Sequence, residues 1–178
     1  MEYLKALEIA NKVLELLKPF CDRCEIAGSI RRQKPEVKDI EIVCIPKPYE
    51  HGLFEDGLAT IVNKWQKVKG ELEYGKCKYT QRILPEGIKL DLFFATHINW
   101  GLQFAIRTGD AEFSKALIGT ILPNRGYKSE SGLLIHSEVV CNVYEEVDLF
   151  GKAEVPYIEP KHRNITSLLK YLPAHYHY

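Results

Sequence analysis

The segment Asp39-Ile40-Glu41-Ile42-Val43-Cys44-Ile45 constrains this chain more than any other. Its first four residues alternate acid with isoleucine, the mark of a strand with one face in a core, and the reading ends where Pro46 and Pro48 interrupt a sheet ladder. On such a strand Asp39 and Glu41 project from the same face, about 7 Å apart. Two anions held that close repel each other, so the arrangement costs energy unless a cation lies between them. An isolated acid-apolar-acid pair is more often the solvent face of a half-buried strand. The pair therefore decides nothing until its surroundings are read.

Those surroundings repeat the device. Lys89-Leu90-Asp91-Leu92-Phe93 alternates in the same way, and residues 76–84 and 88–95 read as a hairpin across Pro85-Glu86-Gly87. If the strand of Asp91 neighbours that of Asp39 and Glu41, three carboxylates converge on a hard-cation site, where oxygen ligands favour magnesium or manganese. Upstream, residues 24–30 read as a strand carrying Gly28-Ser29 at its end, followed by a basic turn over residues 31–38. A glycine there admits phosphate to the backbone. The Ser29 hydroxyl and Arg32 supply donors for triphosphate oxygens.

The rest of the pattern predicts an α+β fold. Apolar residues at helical spacing predict an amphipathic helix over residues 3–18, stopped by Pro19, and a second helix over 53–64. A strand follows over 66–72, entering a turn at 73–75. After Trp100 the pattern changes to helices over 100–107 and 111–122, separated by Thr108-Gly109-Asp110, and the glycines and prolines beyond suggest a small ribbon and a helix or two. The expected division is 1–98 and 99–178.

With 178 residues, 46% of them hydrophobic, the chain can bury a real core, which excludes disorder. No stretch approaches the roughly 20 apolar residues of a membrane span, and the N-terminus has no signal-peptide core, so the expectation is an intracellular, cytoplasmic protein with no membrane partner. The five cysteines are scattered and odd in number, which fits a reducing compartment. Lysine plus arginine and aspartate plus glutamate both number 24, so no overall field gathers polyanions. Basic residues do cluster at Arg31, Arg32, Lys34 and Lys38, and again from Lys64 to Arg82. The acidic run Glu145, Glu146 and Asp148 reads as solvated surface.

Taken in order, Gly28-Ser29-Ile30-Arg31-Arg32, Asp39-Ile40-Glu41, Asp91, Thr108-Gly109 with Phe113, Gly126-Tyr127, Gly132-Leu133 and Pro156-Tyr157-Ile158-Glu159-Pro160 with Arg163 resemble DNA polymerase family X, within the nucleotidyltransferase superfamily. The resemblance runs from the first helix almost to the C-terminus and covers the family's palm and thumb alone. It implies a nucleotidyltransferase palm, a mixed sheet with flanking helices, followed by a small helical and β-ribbon thumb. It implies transfer of a nucleoside monophosphate from a nucleoside triphosphate to a DNA 3′-hydroxyl, at a gapped or nicked duplex, with two Mg²⁺ or Mn²⁺ ions. Asp39 and Glu41 would bridge both ions and Asp91 would hold the one at the attacking hydroxyl. Gly28, Ser29, Arg32 and Lys38 would hold the triphosphate, and Thr108 and Gly109 would lie beside the sugar and base. One chain holds all of these residues, so a monomer suffices.

The chain departs from the family pattern at four places. Glu41 stands where these polymerases usually have aspartate. Ile106-Arg107 replaces the aromatic pair before Thr-Gly, Ser114 replaces an asparagine that touches a base edge, and Ile118 replaces an arginine that reads the templating pair. These leave the sugar preference and the dependence on a template open. The rival expectations are a nucleotidyltransferase acting on RNA, a small molecule or a protein, and a noncatalytic nucleic-acid-binding module. Two further signals are discounted: Cys21-Asp22-Arg23-Cys24, which has redox spacing but no second ligand pair, and the His175-Tyr176-His177 tail.

Overall fold

The apolar stripe expected over residues 3–18 becomes helix α1 (Tyr3–Leu17), which turns its Ala6, Ile9, Ala10, Val13, Leu14 and Leu17 inward. The computed structural model describes residues 1–47, 57–70 and 79–174. Within it the chain divides into two units, Met1–Thr96 and His97–Tyr178, each with its own core.

In the first unit a short 3₁₀ turn at Lys18–Phe20 leads directly into β1 (Cys21–Ile26). This strand starts and ends earlier than the sequence reading over 24–30. A register shift between Cys21 and Arg23 spaces its buried residues three apart instead of two, which hides the strand from an alternation rule. The chain then turns into α2 (Gly28–Arg31), a single helical turn where a strand end was expected. The remaining elements are β2 (Asp39–Pro46), α3 (Leu58–Val62), β3 (Gln66–Lys69), β4 (Tyr79–Ile83) and β5 (Lys89–Phe94). Parts of the expected helix over 53–64, strand over 66–72, turn at 73–75 and strand over 76–84 lie outside the described residues, as do Cys77, His175 and His177.

The five strands form one mixed sheet in the order β1-β2-β5-β4-β3. All neighbours are antiparallel except β2 and β5, which run parallel. The hairpin expected at Pro85-Glu86-Gly87 is present: the amide of Gly87 donates to the carbonyl of Leu84 and the amide of Leu84 to that of Ile88, with Gly87 at φ +81°. That left-handed residue closes a three-residue loop that glycine accommodates without strain. One face of the sheet carries Ile40, Ile42, Cys44, Leu90 and Leu92 against α1 and α3, and these residues with Trp65 form the first core. The alternation of β2 and β5 leaves their acids on the other face.

Cys24 pairs across the strands with Cys44, and both lie buried with Cys21, all three as free thiols. Buried among apolar neighbours, they behave as small core residues.

The second unit contains α4 (Trp100–Thr108) and α5 (Ala111–Ala116), the latter continuing through a π turn at Leu117–Ile121. Asp110 caps α5, its carboxylate accepting from the amide of Phe113 at 2.8 Å. The ribbon is a three-stranded antiparallel sheet of β6 (Tyr127–Glu130), β7 (Leu133–His136) and β8 (Val139–Cys141), followed by α6 (Glu146–Lys152). The acidic run is not uniformly solvated. Asp148 accepts from the amide of Glu145 at the start of α6, while Glu146 is buried in a two-pronged ion pair with Arg163. Arg163 also donates from Nε to the carbonyl of Ile158 and lies against the rings of Phe150 and Tyr157. The pair ties the segment after α6 to that helix, with every charge partnered.

No helix among the described residues is long and apolar enough to cross a membrane.

Candidate active site

Parallel pairing of β2 with β5 sets Glu41 directly across from Asp91, and Asp39 across from Lys89. The condition attached to the sequence reading is thus met: the two acidic strands are neighbours, in a register that puts all three carboxylates on one face. Asp91 lies 8% exposed, and Asp39 and Glu41 are half-buried. Burial and, after it, crowding act on Asp39 and Glu41. Burial raises the Asp39 carboxyl above the ordinary aspartate range, the charge of Asp91 raises it further, and Lys89 opposes the shift. Burial likewise pushes Glu41 up to about 7, with Asp39 and then Asp91 adding to it and Arg32 and the Ser29 amide working against it.

The Glu41 carboxylate leans toward α2, where it accepts a hydrogen bond from the Ser29 amide. The amide of Ala27 donates to the Glu41 carbonyl at 2.8 Å, so the chain just before α2 is bonded to β2. Gly28 has φ +58°, and a Cβ placed on it would stand 1.6 Å from Oε2 of Glu41. Two independent reasons therefore demand glycine here, backbone conformation and space. Gly28→Ala is expected to lower stability by about 2 kcal/mol. Urea unfolding checks this, with Glu41→Ala as the second arm of a cycle. A smaller cost in the Glu41→Ala background identifies the steric part, and an equal cost would leave backbone strain alone.

Ser29 Oγ is buried and, among the described residues, has no hydrogen-bond partner. A buried hydroxyl without a partner costs free energy, a cost that an acceptor atom brought to it would offset. Arg32 follows at the end of α2, close enough to Glu41 to stabilise its charge. Lys38 is exposed and immediately precedes β2. Thr108 and Gly109 belong to the second unit. Thr108 is fully buried, and a Cβ on Gly109 would meet the Phe113 ring at 2.4 Å, so glycine is required by space and not by backbone conformation. Ser114 donates its hydroxyl to the Ile106 carbonyl at 2.8 Å, and Ile118 packs against the second core.

Two side chains that the sequence reading passed over complete the row. Gln81 on β4 pairs with Asp91 on β5, so Glu41, Asp91 and Gln81 lie side by side across three strands. Gln81 Nε2 and the Tyr79 hydroxyl each donate to Asp91 Oδ1 at 2.6 Å. Counting back from the hairpin turn would have found Gln81, since a three-residue loop fixes which residues face each other.

Chemically, three carboxylates on one face, opposed by Lys89 and Arg32, offer oxygen donors of the type that hard divalent ions take. Among the described residues no three acidic, cysteine or histidine side chains are already drawn together as a metal cage, in keeping with the turn of Glu41 toward Ser29. Comparison of the chain with protein-family models and with curated proteins gives no match.

Proposed function

We propose that this chain is a metal-dependent nucleotidyltransferase of the family X type, adding a deoxynucleoside monophosphate to a DNA 3′-hydroxyl during gap repair or end processing and releasing pyrophosphate. The observation that carries the reading is the register: Glu41 faces Asp91 on parallel neighbours, with Asp39 on the same face and Gly28-Ser29 against Glu41. Folding alone gives no reason to gather three acids on one buried patch, where each raises the cost of charging the next. On this reading the first unit is the palm and the second the thumb.

Asp39, Glu41 and Asp91 would hold two Mg²⁺ or Mn²⁺ ions, whose chemistry is to neutralise charge on the reacting phosphate and to lower the pKa of the attacking hydroxyl. To hold an ion Glu41 would have to give up its bond from the Ser29 amide, which would leave that N–H and the Ser29 hydroxyl as donors for the triphosphate. Arg32, with Lys38 beside β2, opposes the negative charge that gathers on departing pyrophosphate. In the transfer the acceptor oxygen bonds to the α-phosphorus as the bond to pyrophosphate breaks.

A second reading concerns the template. The Ser114 hydroxyl donates to the Ile106 carbonyl and Ile118 has no polar group to offer a base edge. This supports addition with little regard for a template, or transfer to an acceptor other than DNA.

Equilibrium binding of labelled deoxynucleoside and nucleoside triphosphates, with Mg²⁺ and with chelator, tests the proposal. Nucleotide affinity that needs the metal and weakens about tenfold in Ser29→Ala is the expected result. Binding of nucleic acid that persists in chelator, with no metal-dependent nucleotide affinity, favours the noncatalytic module instead.

A further inference from the structure

Asp91 is held by a pair of donors that, among the described residues, act on one of its oxygens. Among the described residues, both hydrogen bonds to its carboxylate fall on Oδ1, from Gln81 Nε2 and from the Tyr79 hydroxyl, each at 2.6 Å. Both are short, as bonds to an ionised acceptor are. Gln81 is 9% exposed, and a buried amide is unfavourable unless its polar atoms are bonded. The sheet places it without adjustment, since Gln81 is the cross-strand partner of Asp91. Tyr79 reaches the same oxygen diagonally from its place opposite Phe93. Its ring stacks on that of Phe93 with centroids 5.0 Å apart, and the Lys69 ammonium lies 5.4 Å from its centroid.

We infer that Gln81 and Tyr79 are positioning residues that fix the Asp91 carboxylate by Oδ1 and thereby present Oδ2 alone as the ligand oxygen. The inference rests on the reading of Asp91 as a metal ligand. A free aspartate turns about its side-chain torsions and offers either oxygen. With two donors on Oδ1 the carboxylate has one preferred orientation before any ion arrives, so less ordering is left to binding. β4 is therefore part of the site, although it contributes no acid to it. The pair also separates this carboxylate from Glu41, which accepts from the Ser29 backbone amide instead of from another side chain of the sheet.

The test is Mn²⁺ binding followed by electron paramagnetic resonance on the full chain, for wild type, Asp91→Asn, Gln81→Met and Tyr79→Phe, with the urea midpoint of each as a check on folding. Gln81→Met keeps the volume and removes the donor; Tyr79→Phe removes a single oxygen and preserves the stack. The expected result is an Mn²⁺ site lost in Asp91→Asn and weakened about tenfold in each of the other two, the size usual for groups that orient a metal ligand. Nucleotidyl transfer by these two should recover as Mn²⁺ is raised, which loss of folding alone would not permit. An Asp91-dependent site of unchanged affinity in both variants overturns the positioning role and leaves the proposed function standing. Absence of any Asp91-dependent Mn²⁺ site overturns both.

Discussion

Asp91→Asn is expected to lower nucleotidyl transfer by about 10³-fold or more, an effect on the order of 4 kcal/mol in the transition state, while leaving the fold in place. Asparagine has the shape of aspartate and keeps a carbonyl oxygen that can accept from Gln81 and Tyr79, so the sheet register has no reason to change. What disappears is the negative charge that, on the proposed reading, favours a hard cation beside Glu41. Steady-state transfer rates, with the urea midpoint as a control, measure the two consequences separately. Because removing Asp91 also removes a charge that raises the Asp39 and Glu41 carboxyls, the variant should be at least as stable as wild type near neutral pH. Loss of activity with gain of stability separates a site residue from a structural one.

Glu41→Gln should be more stable than wild type at pH 8 by up to about 3 kcal/mol in chelator, and indistinguishable from it below pH 4.5. The sign follows from the direction of the shift. Glu41 is pushed up from 4.5 to about 7 by burial, then by Asp39 and Asp91. Between those values the folded chain keeps a proton that the unfolded chain has released, so stability falls as pH rises through the window and the whole penalty is present above it. Glutamine carries no charge to bury and can accept from the Ser29 amide, so it escapes that penalty. Urea unfolding of both proteins across pH 4 to 8 reads the difference. Added Mg²⁺ should narrow it by stabilising wild type alone. A difference that does not change with pH would contradict the account of Glu41.

The parts of the fold that alternation and turn chemistry govern were legible in the sequence. β2, β5 and the Pro85-Glu86-Gly87 hairpin fall where the pattern predicted them, because period-two alternation with one buried face leaves a strand little choice of orientation. α1, α4 and the Asp110 cap follow equally local rules. β1 was misjudged at both ends. Its bulge breaks the period, and the helical turn at Gly28–Arg31 depends on the Glu41 carboxylate lying against Gly28, a contact between residues thirteen apart. Glu146 looked like surface because its partner, Arg163, lies seventeen residues away. Of the proposed site, Asp39, Glu41 and Asp91 stood out by residue type and spacing, and their shared face follows from the parallel pairing of β2 with β5. Gln81 followed from the hairpin register but was passed over because an uncharged strand residue does not stand out, and Tyr79 reaches Asp91 only from its place opposite Phe93.

The central claim is that these acids support nucleotidyl transfer. Its most direct test is incubation of the protein with labelled DNA bearing a single-nucleotide gap, each deoxynucleoside or nucleoside triphosphate separately, and Mg²⁺ or Mn²⁺, beside the Asp91→Asn variant. The account predicts extension of the 3′ end by wild type, abolished in the variant and in chelator. No extension with any nucleotide, from protein that binds nucleotide in a metal-dependent way, would contradict the assignment of DNA as the acceptor.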